Sequence, residues 1–129
     1  HYRTKQSYKH TSLIGSSLGG LISYYGGLKY PKIFGNIGAL STSFWFSDYV
    51  YEFTRKHGDQ QRLNLYLLIG EKEGDEMVSA THKINDLLLE TGFNPQRINT
   101  RAVPEGTHNE LFWKQEFLTV VKWLYTNTN

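Results

Sequence analysis

Thr11-Ser12-Leu13-Ile14-Gly15-Ser16-Ser17-Leu18-Gly19-Gly20 is a short apolar run that breaks into a Gly-x-Ser-x-Gly turn and continues into a helical pattern. A serine at the top of a sharp strand-to-helix turn must take a strained backbone conformation, and residues two before and two after it come too close to the turn for side chains. Gly15 and Gly19 meet that demand, which makes Ser17 a candidate nucleophile. The same turn aims the N–H of Leu18 at a developing oxyanion, and the positive end of the following helix adds to the field. A Gly-rich turn of this kind can instead cradle a phosphate. That use wants G-x-G-x-x-G or G-x-x-x-x-G-K-[ST], and neither spacing is present.

Outward from this turn the chain alternates strand and helix. His1 to His10 is polar and aromatic without period, a loop or the tail of a preceding helix. Thr11 to Gly15 suits burial on both faces, as in a central strand of a parallel sheet. From Leu18, apolar Leu21, Ile22, Tyr25 and Leu28 predict one helix face, stopped after Tyr30 by Pro31. Gly26-Gly27 inside that helix predicts close backbone packing. Asn36 to Leu40 reads as a second buried strand, Asp48 to His57 as a short helix, and Leu63 to Ile69 as a third strand. A helix with Met77, Ala80, Ile84, Leu87 and Leu88 on one face ends at Gly92, and Ile98 to Val103, carrying Asn99 and Arg101, reads as an edge strand. A final helix sets Trp113, Phe117, Val120, Val121 and Leu124 on one face before the polar tail Thr126 to Asn129. Such alternation implies right-handed crossovers and a parallel sheet with helices on both faces.

Composition bounds what this sheet can do. The 129 residues make one domain's worth of chain, and 39% hydrophobic content supports a core. A formal net charge of +2, with its cations scattered, points to neither nucleic acid nor an anionic membrane as partner. The absence of cysteine excludes disulfides and thiolate metal sites. No apolar run approaches the ~20 residues of a membrane span. The polar start, His1 to Gln6, does not resemble a signal peptide, and the expected compartment is the cytoplasm.

Three strand-end loops carry the chemistry. After the second strand comes Ser41-Thr42-Ser43-Phe44-Trp45-Phe46, where Trp45 and Phe46 are candidates to line a substrate pocket or simply to cover the sheet. After the third comes the acidic loop Glu71 to Glu76, and after the fourth Pro104 to Glu110, which contains His108. Acyl transfer needs a nucleophile, an imidazole to take its proton and a carboxylate to orient the imidazole. Of the five histidines only His108 follows a strand in a loop, and the order Ser17, acid, His108 is that of α/β-hydrolases.

Thr11 to Leu21, Tyr30-Pro31 with Phe34-Gly35, Gly70-Glu71-Lys72-Glu73, and Glu105 to Asn109 with Trp113 together resemble the putative-esterase family of α/β-hydrolases, which includes esterase D-like, feruloyl and enterochelin esterases. The resemblance implies Ser17 as nucleophile, His108 as general base and Glu73 as acid, with Asp75 the alternative acid, and Leu18 at the oxyanion. It implies a small-molecule ester substrate, with no cofactor and no metal. A hydrolase of this fold places several strands and one oxyanion donor before the nucleophile strand, yet sixteen residues precede Ser17. Residues 1–129 are therefore expected to be the carboxyl-terminal part of a single catalytic domain, with self-association through the exposed central strand. An acyltransferase of the same fold and a non-catalytic binding module are the competing readings; a fluorophosphonate probe separates the last from the others.

Overall fold

The computed structural model describes residues 3–126. Strands β1 (Ser12–Ser16), β2 (Asn36–Leu40), β3 (Asn64–Gly70) and β4 (Ile98–Val103) alternate with helices α1 (Leu18–Lys29), α2 (Tyr49–His57), α3 (Asp75–Thr91) and α4 (Glu110–Thr126). All four strands pair in parallel in the order β1-β2-β3-β4. The sequence places each strand to within one residue. The expected tail beyond Thr126 lies outside the described residues, as do His1 and Tyr2.

Side chains alternate across the sheet with the period of two that the pleat imposes. Ile37, Ala39, Leu65 and Leu67 face a core closed by α1, α2 and α3, through residues such as Leu28, Phe53 and Leu88. Leu40, Tyr66 and Leu68 face the opposite way, onto Phe112, Val120 and Leu124 of α4. Burial of each of these large apolar side chains contributes about 1.5–3 kcal/mol. The two central strands are buried along their whole length, whereas β1 and β4 are only partly so. Among the described residues β1 pairs only with β2, the open edge expected of a central strand when the chain holds only the carboxyl-terminal part of the domain.

Two helix faces differ from the expectation. In α1, Ile22 is 71% exposed, and the inward position falls to Tyr24, whose hydroxyl lies 2.6 Å from Thr54 Oγ1 in the core. In α4, Phe112 packs inward while Phe117 is exposed. Both helices carry apolar residues on more than one side, so the period alone does not settle which stripe meets the sheet. The glycine pair behaves as expected: a Cβ on Gly27 would run into the Ile37 side chain, and one on Gly26 would lie 2.9 Å from Leu13 Cδ1.

Candidate active site

A parallel sheet delivers every strand's carboxyl end to one rim, and three loops meet there. The first is the turn between β1 and α1. Ser17 has φ 57° and ψ −122°, a conformation that costs a non-glycine residue about 1–3 kcal/mol. It is held by its own backbone: the N–H donates to Leu40 O at 2.9 Å, and the carbonyl accepts from Leu21 at 3.2 Å and from Ser43 at 3.2 Å. Gly15 is required, because a Cβ there would strike the Gly19 carbonyl. Gly19 is not crowded as expected, since a Cβ on it would meet nothing within 4 Å. The second close approach is at Gly20, where a Cβ would lie 2.5 Å from Thr42 Oγ1 and 3.3 Å from Leu40 O. Leu18 opens α1, so its N–H has no carbonyl within the helix to donate to.

The second loop is a 3-10 turn, Glu71–Glu73, directly after β3. It turns the Glu73 carboxylate back under the rim, where Oε2 accepts from the Gly70 N–H at 2.8 Å and from Ser41 Oγ at 2.6 Å. The Glu73 side chain is 0% exposed. Asp75 opens α3 at the surface and is not brought to the histidine.

The third loop joins β4 to α4 and carries His108. Gly106 packs against Gly70 so closely that a Cβ on either would strike the other's backbone, and the Gly106 carbonyl accepts from Lys72 N at 3.0 Å. Asn109 caps α4, its Oδ1 accepting from Phe112 N at 3.0 Å. His108 Nδ1 lies 2.7 Å from Glu73 Oε1, and Nε2 lies 3.1 Å from Ser17 Oγ. The structure thus brings together Ser17, His108 and Glu73 of the sequence-derived candidates. The other described histidines sit elsewhere: His10 bonds to Ser7, His57 packs on Phe53, and His82 is exposed on α3.

The aromatic run after β2 divides. Phe44 enters the core, while Trp45 and Phe46 are exposed. Phe46 lines a cleft of about 610 Å³ between α1 and α2, shared with Leu18, Ile22, Tyr25, Tyr49 and Phe53; Trp45 does not line it. Sequence reasoning missed Ser41, Ser43 and the role of Trp113. Ser43 Oγ lies 3.3 Å from Ser17 Oγ, and Trp113 Nε1 donates to Ser41 Oγ at 2.8 Å. Nothing in their spacing singles out these residues, which converge only when strand ends align. Among the described residues no group of three or more His, Cys, Asp or Glu is arranged to hold a metal, and no helix is long and apolar enough to cross a membrane.

A parallel sheet with helices on both faces and a serine on the turn after one strand defines an α/β-hydrolase-type fold. The chain belongs to the family described as Putative esterase, which matches residues 1–124. It is 31% identical over 123 residues to the uncharacterized protein YbbA of Bacillus subtilis (strain 168), covering 88% of this chain and 48% of YbbA. Among solved structures it is similar to enterochelin esterase from Shigella flexneri, with a TM-score of 0.80 and 25% identity over 94% of this chain and 32% of that one. It shares its fold with S-formylglutathione hydrolase from Staphylococcus aureus, with a TM-score of 0.78 and 18% identity over 96% of this chain and 54% of that one. The chain therefore spans about half of YbbA and a third of the enterochelin esterase.

Proposed function

We propose that residues 1–129 form the carboxyl-terminal part of the catalytic domain of a serine carboxylic-ester hydrolase. The observation that carries this reading is one unbroken line of contacts, Ser17 Oγ to His108 Nε2 at 3.1 Å and His108 Nδ1 to Glu73 Oε1 at 2.7 Å. A carboxylate only accepts, so Glu73 makes Nδ1 the protonated nitrogen and leaves the Nε2 lone pair facing the serine. Ser17 Oγ attacks the ester carbonyl as its proton passes to Nε2, and the Leu18 N–H stabilises the oxyanion. Collapse breaks the ester C–O bond, the Nε2 proton leaves on the alcohol, and an acyl-Ser17 remains. Water, activated by the same nitrogen, then releases the acid. These steps call on no cofactor and no metal.

The cleft beside Leu18 supports a small-molecule ester with an apolar portion, because its lining is largely aliphatic and aromatic and its volume of about 610 Å³ falls in the range of ligand pockets. In this reading Phe46 contacts that portion. A second oxyanion donor is assigned to the part of the protein that corresponds to the remainder of YbbA.

The test is fluorophosphonate labelling of the full-length protein followed by mass spectrometry of its peptides. The adduct is expected on Ser17, and labelling of Ser16 or Ser41 with Ser17 untouched would overturn the assignment.

A further inference from the structure

Behind the Glu73 carboxylate stands a pair of side chains that the proposed steps do not use. Ser41, at the end of β2, is 0% exposed and has φ 46°, the only non-glycine residue besides Ser17 with a positive φ among those described. Such a conformation persists where the surroundings over-determine it, and here the Ser41 N–H donates to Leu68 O at 2.7 Å while the side chain is held at two further points. Ser41 Oγ lies 2.8 Å from Trp113 Nε1 and 2.6 Å from Glu73 Oε2. An indole N–H can only donate, so Ser41 must accept from Trp113, and its single proton is left for the carboxylate.

The direction of the chain is therefore fixed, from Trp113 through Ser41 to Glu73. With the Gly70 N–H, also 2.8 Å away, Oε2 receives two donors, and Oε1 is left to His108. Two donors on one oxygen stabilise a buried negative charge and lock the carboxylate rotamer, which a single contact would leave free to swing. Trp113 also braces the base: its ring stands at 87° to the His108 imidazole, with centroids 5.1 Å apart. We infer that Ser41 and Trp113 are positioning residues, a hydrogen-bonded relay that holds Glu73 and His108 in the geometry needed for proton transfer. This rests on the esterase reading of the site. It also accounts for a buried serine beside the site that is no nucleophile, since its proton is committed to Glu73.

The test compares Ser41→Gly, Ser41→Ala, Trp113→Phe and the double variant Ser41→Gly/Trp113→Phe with wild type in the full-length protein. Hydrolysis of p-nitrophenyl acetate and thermal stability are both measured, with Ser17→Ala as the inactive reference. Ser41→Gly keeps the positive φ without strain, and Trp113→Phe keeps the aromatic ring, so each removes the relay with little structural cost. The expected result, at nearly constant KM, is a fall in kcat on the order of 10- to 100-fold in Ser41→Gly, the size of one lost hydrogen bond to a charged group, and a smaller fall of about 3- to 10-fold in Trp113→Phe, which loses a bond between neutral groups. The double variant should be no slower than the worse single, because the two residues act in series. Turnover of Ser41→Gly and Trp113→Phe within about twofold of wild type, with Ser17→Ala inactive, would overturn the relay alone; so would an inactive Ser41→Ala beside a fully active Ser41→Gly. Full activity in Ser17→Ala would overturn the esterase reading, and the relay with it.

Discussion

Gly70 and Gly106 touch backbone to backbone: a Cβ on Gly106 would lie 2.7 Å from Gly70 Cα, and one on Gly70 would overlap the Gly106 carbonyl. That contact sets the spacing between the loop that carries Glu73 and the loop that carries His108. Gly70→Ala or Gly106→Ala must push the loops apart, at a cost of about 1–3 kcal/mol for overpacking. Both variants should lose stability and, in the full-length protein, most turnover. Gly19→Ala is the contrast in the 129-residue chain, because its Cβ would meet nothing within 4 Å and alanine favours the helix by about 1 kcal/mol. Thermal melts of the three variants check the ordering; a Gly70→Ala chain as stable as wild type would refute it.

The two acids of the β3 loop separate by mutation. Glu73→Gln keeps the shape but places an amide beside His108 Nδ1, which disfavours the productive tautomer, so on the proposed function ester hydrolysis by the full-length protein should fall on the order of 100-fold or more. His108→Ala should remove still more, because the proton then has no acceptor. Asp75→Asn, at the exposed start of α3, should stay within about twofold of wild type by the small size of surface effects. A damaging Asp75→Asn beside a silent Glu73→Gln would show that the acid lies elsewhere.

Some of these residues are legible in the amino-acid sequence and others are not, for physical reasons. Strands β2 and β3 are continuous apolar runs because both their faces are covered, and such runs stand out between turn residues. Ser17 and His108 announce themselves by residue type at a strand end. Gly20, Gly70, Gly106 and Ser41 do not, because their roles come from backbones that meet across the rim, and contacts between loops far apart in the chain leave no local pattern. Ile22 and Phe117 misled for a related reason. Helical period finds an apolar stripe, but which stripe faces the sheet depends on the neighbours.

Tyr24 gives the core its own pH dependence. Complete burial pushes its phenol well above the ordinary tyrosine value, outweighing the hydrogen bond with Thr54. The unfolded chain releases this proton near pH 10, while the folded chain keeps it. Above pH 10 the unfolded state therefore binds fewer protons, and stability falls as pH rises; below pH 10 the contribution is fully present. Tyr24→Phe should flatten that alkaline slope. At neutral pH it should cost about 1–3 kcal/mol, because the Thr54 hydroxyl is left buried without its partner. Denaturant midpoints measured across the alkaline range give both numbers, and an unchanged slope in Tyr24→Phe would assign the alkaline loss to other groups.

The outer edge of β1 leads to the last prediction. Among the described residues β1 pairs only with β2, so along Ser12–Ser16 one row of backbone N–H and C=O groups has no strand beside it. Such a row is a template for another strand. Beside it, Ile14, Leu40, Trp113 and Phe117 line a shallow groove of about 240 Å³, and Leu111, Phe117 and Leu118 of α4 are exposed nearby in sequence. Apolar surface of this kind next to an open edge drives association. The 129-residue chain is expected to form dimers in sedimentation, with a second copy lying against β1, and hydrogen exchange at the β1 amides should slow as concentration rises. Addition of the region corresponding to the remainder of YbbA should abolish both effects, by pairing with the same edge. It should also raise p-nitrophenyl acetate hydrolysis by about 10²–10³, the value of one oxyanion donor. A chain that stays monomeric and hydrolyses esters as fast alone as with that region would show that β1 is the true border of the domain and that its catalytic site is already whole.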